Sequence, residues 1–281
     1  MNGLRLRARR PRNRPTQPIR ARSPPIKSGQ PQPFNPNVTP KALSYLLKKT
    51  NQNHELTASR VSVLIPAFNE GEYISEVVKG ALEIVSRVLV VDDGSADQTV
   101  PNSREAGAEV ICHPINRGKG AALQTGFEAL LAEGSEAVVV LDGDGQHDTE
   151  ELPQFIKCAA ESGAGIVLGN RLADAAGMPR IRYWTNRTMS IILSWLSRQK
   201  IPDSQCGYRL IRREVLGRIN FTTENYDLES EMLILASRLG FKIASVPIKT
   251  IYTGQVSEIK PGMDTLRFLR LIYRYLKKDN T

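Results

Sequence analysis

The stretch Asp142-Gly143-Asp144-Gly145-Gln146-His147 carries the clearest chemistry in the chain. Two carboxylates and an amide oxygen stand at positions i, i+2 and i+4. Asp142, Asp144 and Gln146 are hard oxygen donors, suited to Mg2+ or Mn2+. Such a site keeps positions open for the oxygens of a substrate diphosphate. The apolar run Ala137-Val138-Val139-Val140-Leu141 comes directly before it and reads as a buried strand. The glycines that follow force a turn, so the strand delivers both carboxylates to its own C-terminal end. Ligands of open α/β sheets bind at that edge. The plainer reading is a polar turn built from common turn residues. His147 reads as structural rather than as a ligand or base.

Strands and helices alternate around this motif. Val61 to Ile65 reads as a strand stopped by Pro66, and Glu72 to Ser86 as a helix with Ile74, Val77, Val78, Ala81, Leu82 and Val85 at helical spacing. Arg87 to Val91, Glu109 to Cys112, Ala137 to Leu141 and Gly165 to Leu168 follow as strands. Asp97 to Ala106, Lys119 to Glu133 and Leu152 to Ser162 are the helices between them. This rhythm predicts an α/β fold, a mostly parallel sheet with helices on both faces. After Arg171 the pattern changes. Arg182 to Arg198 and Glu229 to Leu239 read as helices, Phe241 to Val246 as a late strand, and Asp264 to Lys278 as a C-terminal amphipathic helix with Leu266, Leu269, Ile272, Tyr273 and Leu276 on one face.

Composition divides the chain. The net charge is +9, yet residues 1–27 hold nine Arg and Lys and no acid, so the remainder is neutral. The basic character belongs to a tail and does not imply a nucleic-acid-binding core. Nine of the 17 prolines fall in residues 1–40, which read as disordered. We expect a basic, Pro-rich tail and linker over 1–58, with a short helix at 41–49, and a catalytic domain over 59–281. Cys112, Cys158 and Cys206 show no zinc spacing and fit a reduced compartment. No apolar run approaches the ~20 residues of a membrane span, and no signal peptide is visible at Met1.

Four polar loops leave the first four strands: Pro66-Ala67-Phe68-Asn69-Glu70, Asp92-Asp93-Gly94-Ser95, Asn116-Arg117-Gly118-Lys119-Gly120 and the double-aspartate motif. With Gly169-Asn170-Arg171 and Gln205-Cys206-Gly207-Tyr208-Arg209, their order resembles family 2 glycosyltransferases of the GT-A fold. The branch that looks closest is the polyprenyl-phosphate one, the dolichyl-phosphate mannose and glucose synthases. The resemblance covers roughly residues 60–275. It implies that Pro66, Phe68 and Glu70 line the nucleotide pocket, that Asp92 or Asp93 reads the base or ribose, and that Asp142, Asp144 and Gln146 hold the metal against the diphosphate. Lys119 either touches a phosphate or is a solvated lysine at a helix start.

The same resemblance points to a hexose moved from a GDP- or UDP-sugar to a polyprenyl phosphate. Arg171, Arg182, Arg187 and Arg209 fall in its acceptor region, and guanidinium groups suit phosphate. Asp144, Glu231 and Arg171 are the expected catalytic residues. Glu231 belongs to the acidic cluster Asp227, Glu229 and Glu231, which matches a family motif. Ser257 is expected to bind acceptor phosphate, although Glu258 stands where the family often has Lys; Lys260 is the nearest substitute. Trp184 and Trp195 beside the arginines suit a membrane interface. Many relatives continue into transmembrane helices where this chain stops at Thr281. The expected enzyme is therefore cytoplasmic and peripheral at the cytosolic membrane face, with room for a membrane-embedded partner. Two alternatives stand beside this reading. One is a family 2 transferase acting on a sugar hydroxyl in cell-wall or surface-glycan synthesis. The other is a non-catalytic nucleotide- or membrane-binding scaffold.

Overall fold

The computed structural model describes residues 56–175, 177–222, 227–251 and 261–279. Residues 1–52 and 53–281 form separate units, and all described residues lie in the second. The basic tail and the helix expected at 41–49 lie outside the described residues.

In chain order the elements are β1 (Val61–Ala67), α1 (Ile74–Leu82), β2 (Val88–Asp92), α2 (Thr99–Glu105), β3 (Glu109–Cys112), α3 (Lys119–Ala132), β4 (Ala137–Val140), α4 (Leu152–Ser162), β5 (Ile166–Asn170), α5 (Arg180–Ser197), β6 (Arg209–Arg212), the single turn α6 (Arg213–Leu216), α7 (Asp227–Arg238), β7 (Ile243–Pro247) and α8 (Pro261–Asp279). The strands form one sheet in the order β3-β2-β1-β4-β6-β5-β7. Strands β3, β2, β1 and β4 run parallel, with Val63 opposite Val88 and Val139. Strand alternation splits the core between the two faces. Val61, Val63 and Ile65 pack with α1 and α4 through Ile74, Val78, Leu152 and Phe155. Leu64, Leu89 and Val91 pack with α3, α7 and α8 through Leu123, Phe127, Met232 and Leu271.

Three expectations change. The first concerns β6, which the sequence pattern hides because it has only two apolar residues between Arg209 and Arg212. It inserts antiparallel between β4 and β5, so those two strands are not neighbours and the sheet is mixed. The second concerns Pro66, which does not stop β1: it pairs in register with Val91. Val63 donates its N–H toward β2, to Arg87 O. The position of Pro66 therefore faces the β4 side, where pairing ends at Leu64, and the missing N–H costs no ladder bond. The third concerns α8, whose expected apolar face is divided, with Ile272 inward but Leu269 and Tyr273 outward. Phe268, Leu271 and Tyr275 are buried as well.

Among the described residues no helix is long and apolar enough to cross a membrane. The three cysteines are free thiols.

Helix α3 lies close on β1 because Gly126 has no side chain. A Cβ there would overlap the Leu64 side chain, which is fully buried. Gly126→Ala should therefore cost about 1–3 kcal/mol through overpacking, despite alanine's better helix propensity. Urea denaturation checks this. An unchanged midpoint would mean that Leu64 turns aside without strain.

Candidate active site

The parallel strands β1, β2 and β4 end at one edge, and their loops are stitched together there. Asn69, at φ 56°, donates its N–H to Ser95 Oγ at 2.9 Å and accepts Ala96 N–H at 3.0 Å. Gly71 N–H reaches Asp97 Oδ2 at 2.9 Å, and Glu70 N–H reaches Thr99 Oγ1 at 2.8 Å. The Pro66–Glu70 loop is thus held against the Asp92–Ser95 loop. Pro66 is buried, while Phe68 and Glu70 are half-buried. Gly143 packs against Glu70, and Gly145 against Tyr73, which joins this pair of loops to the double-aspartate turn.

Asp92 and Asp93 divide their work. The Asp93 carboxylate is fully committed. It accepts Arg117 N–H at 3.0 Å and Gly118 N–H at 2.6 Å, and faces His113 Nδ1 at 2.6 Å. His113 Nε2 lies 3.0 Å from Thr125 Oγ1. These bonds anchor the loop that carries Lys119, so Asp93 has no lone pair left for a base or ribose. Asp92 accepts Ser95 N–H at 3.2 Å through one oxygen. Its other oxygen is buried and accepts no hydrogen bond among the described residues. Of the two, Asp92 has the acceptor to offer a ligand.

Asp142 is the centre of a charge cluster. Lys119, the first residue of α3, places its Nζ 2.6 Å from Asp142 Oδ1 and 3.7 Å from Glu229 Oε1. Arg209 Nη2 lies 3.4 Å from the same Glu229 oxygen, and His147 Nε2 is 3.7 Å from Asp142 Oδ2. Gly207 makes this packing possible, because a Cβ at that position would overlap the Asp142 carboxylate. Burial works to raise the Asp142 pKa, but Lys119 and His147 overcome it and hold the group well below the usual carboxylate range. Burial likewise works to lower Lys119, and Asp142 and Glu229 drive it up instead. Lys119 is therefore a cation built into the site, not a solvated helix-start lysine. Asp144 behaves oppositely. Burial and then the Asp142 charge raise its pKa, offset only in part by the Gln146 N–H that it accepts at 3.0 Å.

Other expected site residues sit elsewhere or are already occupied. Glu231 is fully buried away from this cluster. It accepts Thr222 N–H at 2.9 Å, the Thr222 hydroxyl and the Tyr275 hydroxyl at 2.9 Å. Helical spacing explains the misplacement: Glu229 and Glu231 lie on different sides of α7, and Glu229 is the one that faces Lys119. Arg209 is fully buried on β6, donating to Cys206 O at 2.5 Å and Glu229 O at 3.1 Å. It holds Glu229 in place and offers no open face to an acceptor. Arg171 is buried and forks onto Asp203 at 2.9 and 3.1 Å. Arg182 is half-buried and Arg187 exposed on α5, and neither has an ion-pair partner among the described residues. Ser257, Glu258 and Lys260 lie outside the described residues. Sequence reasoning did not single out Glu229, His113, Asp203 or Gly207. Glu229 had a signal as a member of the acidic cluster, and Gly207 as part of the Gln205–Arg209 motif; His113 and Asp203 had none.

The raised Asp144 pKa has a consequence for stability. The folded state binds this proton more tightly than the unfolded chain, so the ionised carboxylate destabilises the fold at neutral pH. Asp144→Asn should raise the melting temperature at pH 7 without added metal. That gain should shrink as pH falls from the raised folded value toward the unfolded carboxyl value of about 3.9. Equal melting temperatures at pH 7 would contradict this.

A model of glycosyl transferase family 2 matches residues 62–219. An uncharacterised protein of Methanocaldococcus jannaschii is 32% identical over 240 residues, covering 83% of this chain and 98% of that protein. A dolichyl-phosphate hexose transferase of Haloferax volcanii is 33% identical over 209 residues, covering 73% and 88%. Among solved structures, glucosyl-3-phosphoglycerate synthase of Mycobacterium tuberculosis, in complex with Mn2+, uridine diphosphate and glucosyl-3-phosphoglycerate, superposes with a TM-score of 0.59. The identity is 22%, over 77% of this chain and 78% of that one.

Proposed function

The chain belongs to glycosyl transferase family 2, and on that premise we propose that it moves a hexosyl group from a nucleotide-diphosphate hexose, with inversion, assisted by Mg2+ or Mn2+. The observation that carries this is the convergence of Asp142, Lys119 and Glu229 beside the stitched nucleotide loops. Phe68 and Glu70 would line the nucleotide pocket, and Asp92 would offer its open oxygen to the base or ribose. Lys119 would supply positive charge where the diphosphate leaves.

The donor set suits a hard divalent ion. Asp142 and Asp144 crowd one turn, and the pKa of Asp144 is raised by burial and then by the Asp142 charge, both of which a cation there would offset. Among the described residues no three His, Cys, Asp or Glu side chains gather into a closed cage. An ion that shares its coordination with substrate oxygens needs fewer protein ligands. Asp142, Asp144 and the Gln146 amide would hold it. Bound there, it would neutralise charge building on the leaving diphosphate. The Mn2+ in the mycobacterial synthase supports this reading.

Two acceptors remain. The geometry favours a hydroxyl: Arg171 and Arg209 are engaged by Asp203 and Glu229, whereas Glu229 Oε1 stands in the charge cluster and accepts no hydrogen bond among the described residues. A hydroxyl needs a base, and Glu229 would serve. The phosphoglycerate product of the mycobacterial synthase agrees with this acceptor class. The curated dolichyl-phosphate hexose transferase supports a polyprenyl phosphate instead, for which Arg182 and Arg187 would be the available cations. A phosphate monoester is already largely ionised near neutral pH, with a second pKa of about 6, and needs no base.

Purified protein with radiolabelled UDP- and GDP-hexoses, Mn2+, and either a polyprenyl phosphate or a panel of hydroxyl acceptors tests both. Asp144→Ala should abolish transfer to either. Glu229→Gln should lower transfer to a hydroxyl by roughly 10²–10⁴-fold and leave transfer to phosphate nearly unchanged. Failure of the wild-type protein to bind any nucleotide sugar would overturn the whole reading. Lys119→Met, which frees Asp142 from its ammonium, should tighten Mn2+ binding measured without nucleotide by paramagnetic resonance. Weaker Mn2+ binding would show that Lys119 supports the ion rather than standing in for it.

A further inference from the structure

Helix α5 is apolar on two sides: Leu193 enters the core with Met189, Ile192 and Leu196 packed beside it, and a second apolar set faces outward. Its buried residues are Asn186, Ser190, Leu193 and Ser197. Small polar side chains let this face lie close to the loop before β6. Ser190 Oγ accepts Ser204 N–H at 2.9 Å, and Ser194 Oγ accepts Ile201 N–H at 2.9 Å. On the outer side, Ile181, Trp184, Ile191 and Trp195 are 84%, 62%, 60% and 68% exposed. At about 100° per residue, these four and the exposed Thr188 fall in a sector roughly 80° wide, nearly opposite the buried face. A helix packed on a core ordinarily has one apolar side, the inner one, and a polar outer side. Single exposed apolar residues are common, but a continuous stripe with two indoles marks an interaction surface.

The charge around the stripe selects the partner. Between Asp174 and Asp203 the chain has five cations (Arg180, Arg182, Arg187, Arg198 and Lys200) and no carboxylate. All but Arg182 are exposed, and on the helical wheel Arg180 and Arg187 border the stripe on one side. Indole rings settle at the boundary between headgroups and acyl chains. Isoleucines enter the acyl region, and guanidinium groups pair with lipid phosphates. A second copy of the same face would set cation against cation. We infer that α5 docks this protein on an anionic membrane surface, lying in the interfacial plane with Ile181, Trp184, Ile191 and Trp195 toward the acyl chains. This inference goes beyond the proposed reaction and holds for either acceptor.

The test uses a property of the sequence: the chain has two tryptophans, and both lie on this stripe. Tryptophan emission of the full-length protein therefore reports on this face alone. Vesicles of phosphatidylglycerol and phosphatidylcholine should shift that emission to the blue. Lipids brominated near the headgroup should quench it, and pure phosphatidylcholine should have little effect. Ile181→Asp with Ile191→Asp keeps both reporters and should weaken partitioning by about tenfold or more. Three results would overturn the inference. The first is sedimentation with vesicles while emission stays unchanged, which would mean binding through another basic segment. The second is a blue shift without lipid that tracks self-association, which would give the face to a second copy. The third is unaltered partitioning of a double variant that melts like the wild type. Vesicle insertion without glycosyl transfer would leave this inference standing and remove only the proposed reaction.

Discussion

The ion pair between Lys119 and Asp142 is the contact on which the site depends. Both side chains are largely withdrawn from water, and a buried charge is tolerated only when it is paired. Losing one partner of such a pair costs roughly 3–5 kcal/mol, because the other is left uncompensated. The pair also draws in further elements. Glu229 from α7 shares the lysine, Arg209 from β6 holds Glu229, and His147 lies beside the second Asp142 oxygen. Three elements and the double-aspartate turn thereby meet at a point where a divalent ion and a diphosphate would add their own charges.

Backbone proximity makes this meeting possible. Strand β6 slips antiparallel between β4 and β5, which carries Arg209 beside the end of β4. Gly207, just before it, allows Asp142 to lie against the chain. Lys119 is held from the other side, since Asp93 binds the backbone of Arg117 and Gly118 immediately before it. Adjacent carboxylates thus have separate tasks: Asp93 fastens a loop, while Asp92 keeps an oxygen available. The arginines divide in a similar way. Arg171 and Arg209 are buried and donate to protein acceptors, while Arg182 and Arg187 stand on a helix whose outer face is apolar and cationic.

That outer face and the charged site obey one rule with opposite results. Inside, the charged groups Lys119, Asp142, Glu229 and Arg209 stand beside opposite charges. On α5, Leu193 joins the core with Met189, Ile192 and Leu196 packed beside it, and Asn186, Ser190 and Ser197 let the same side approach a loop. The helix is therefore held by its inner side, and the large side chains of its outer stripe are left to meet something else.

The sequence alone determined the alternation of strands and helices. Runs such as Val61 to Ile65 and Ala137 to Leu141 are apolar enough to identify themselves, and the helices between them keep their period. It also determined which loops carry the polar residues, because strands in a parallel arrangement must end at one edge. Strand β6 escaped because a four-residue strand flanked by arginines has no distinctive periodicity. The tertiary structure alone decided which charged residues face one another. Glu229 and Glu231 are two residues apart and equally acidic, yet helical rotation sends one to Lys119 and buries the other against Thr222 and Tyr275. Charge and spacing along a chain identify groups that could meet. Only packing, through the placement of residues as small as Gly207 and Gly126, determines which of them do.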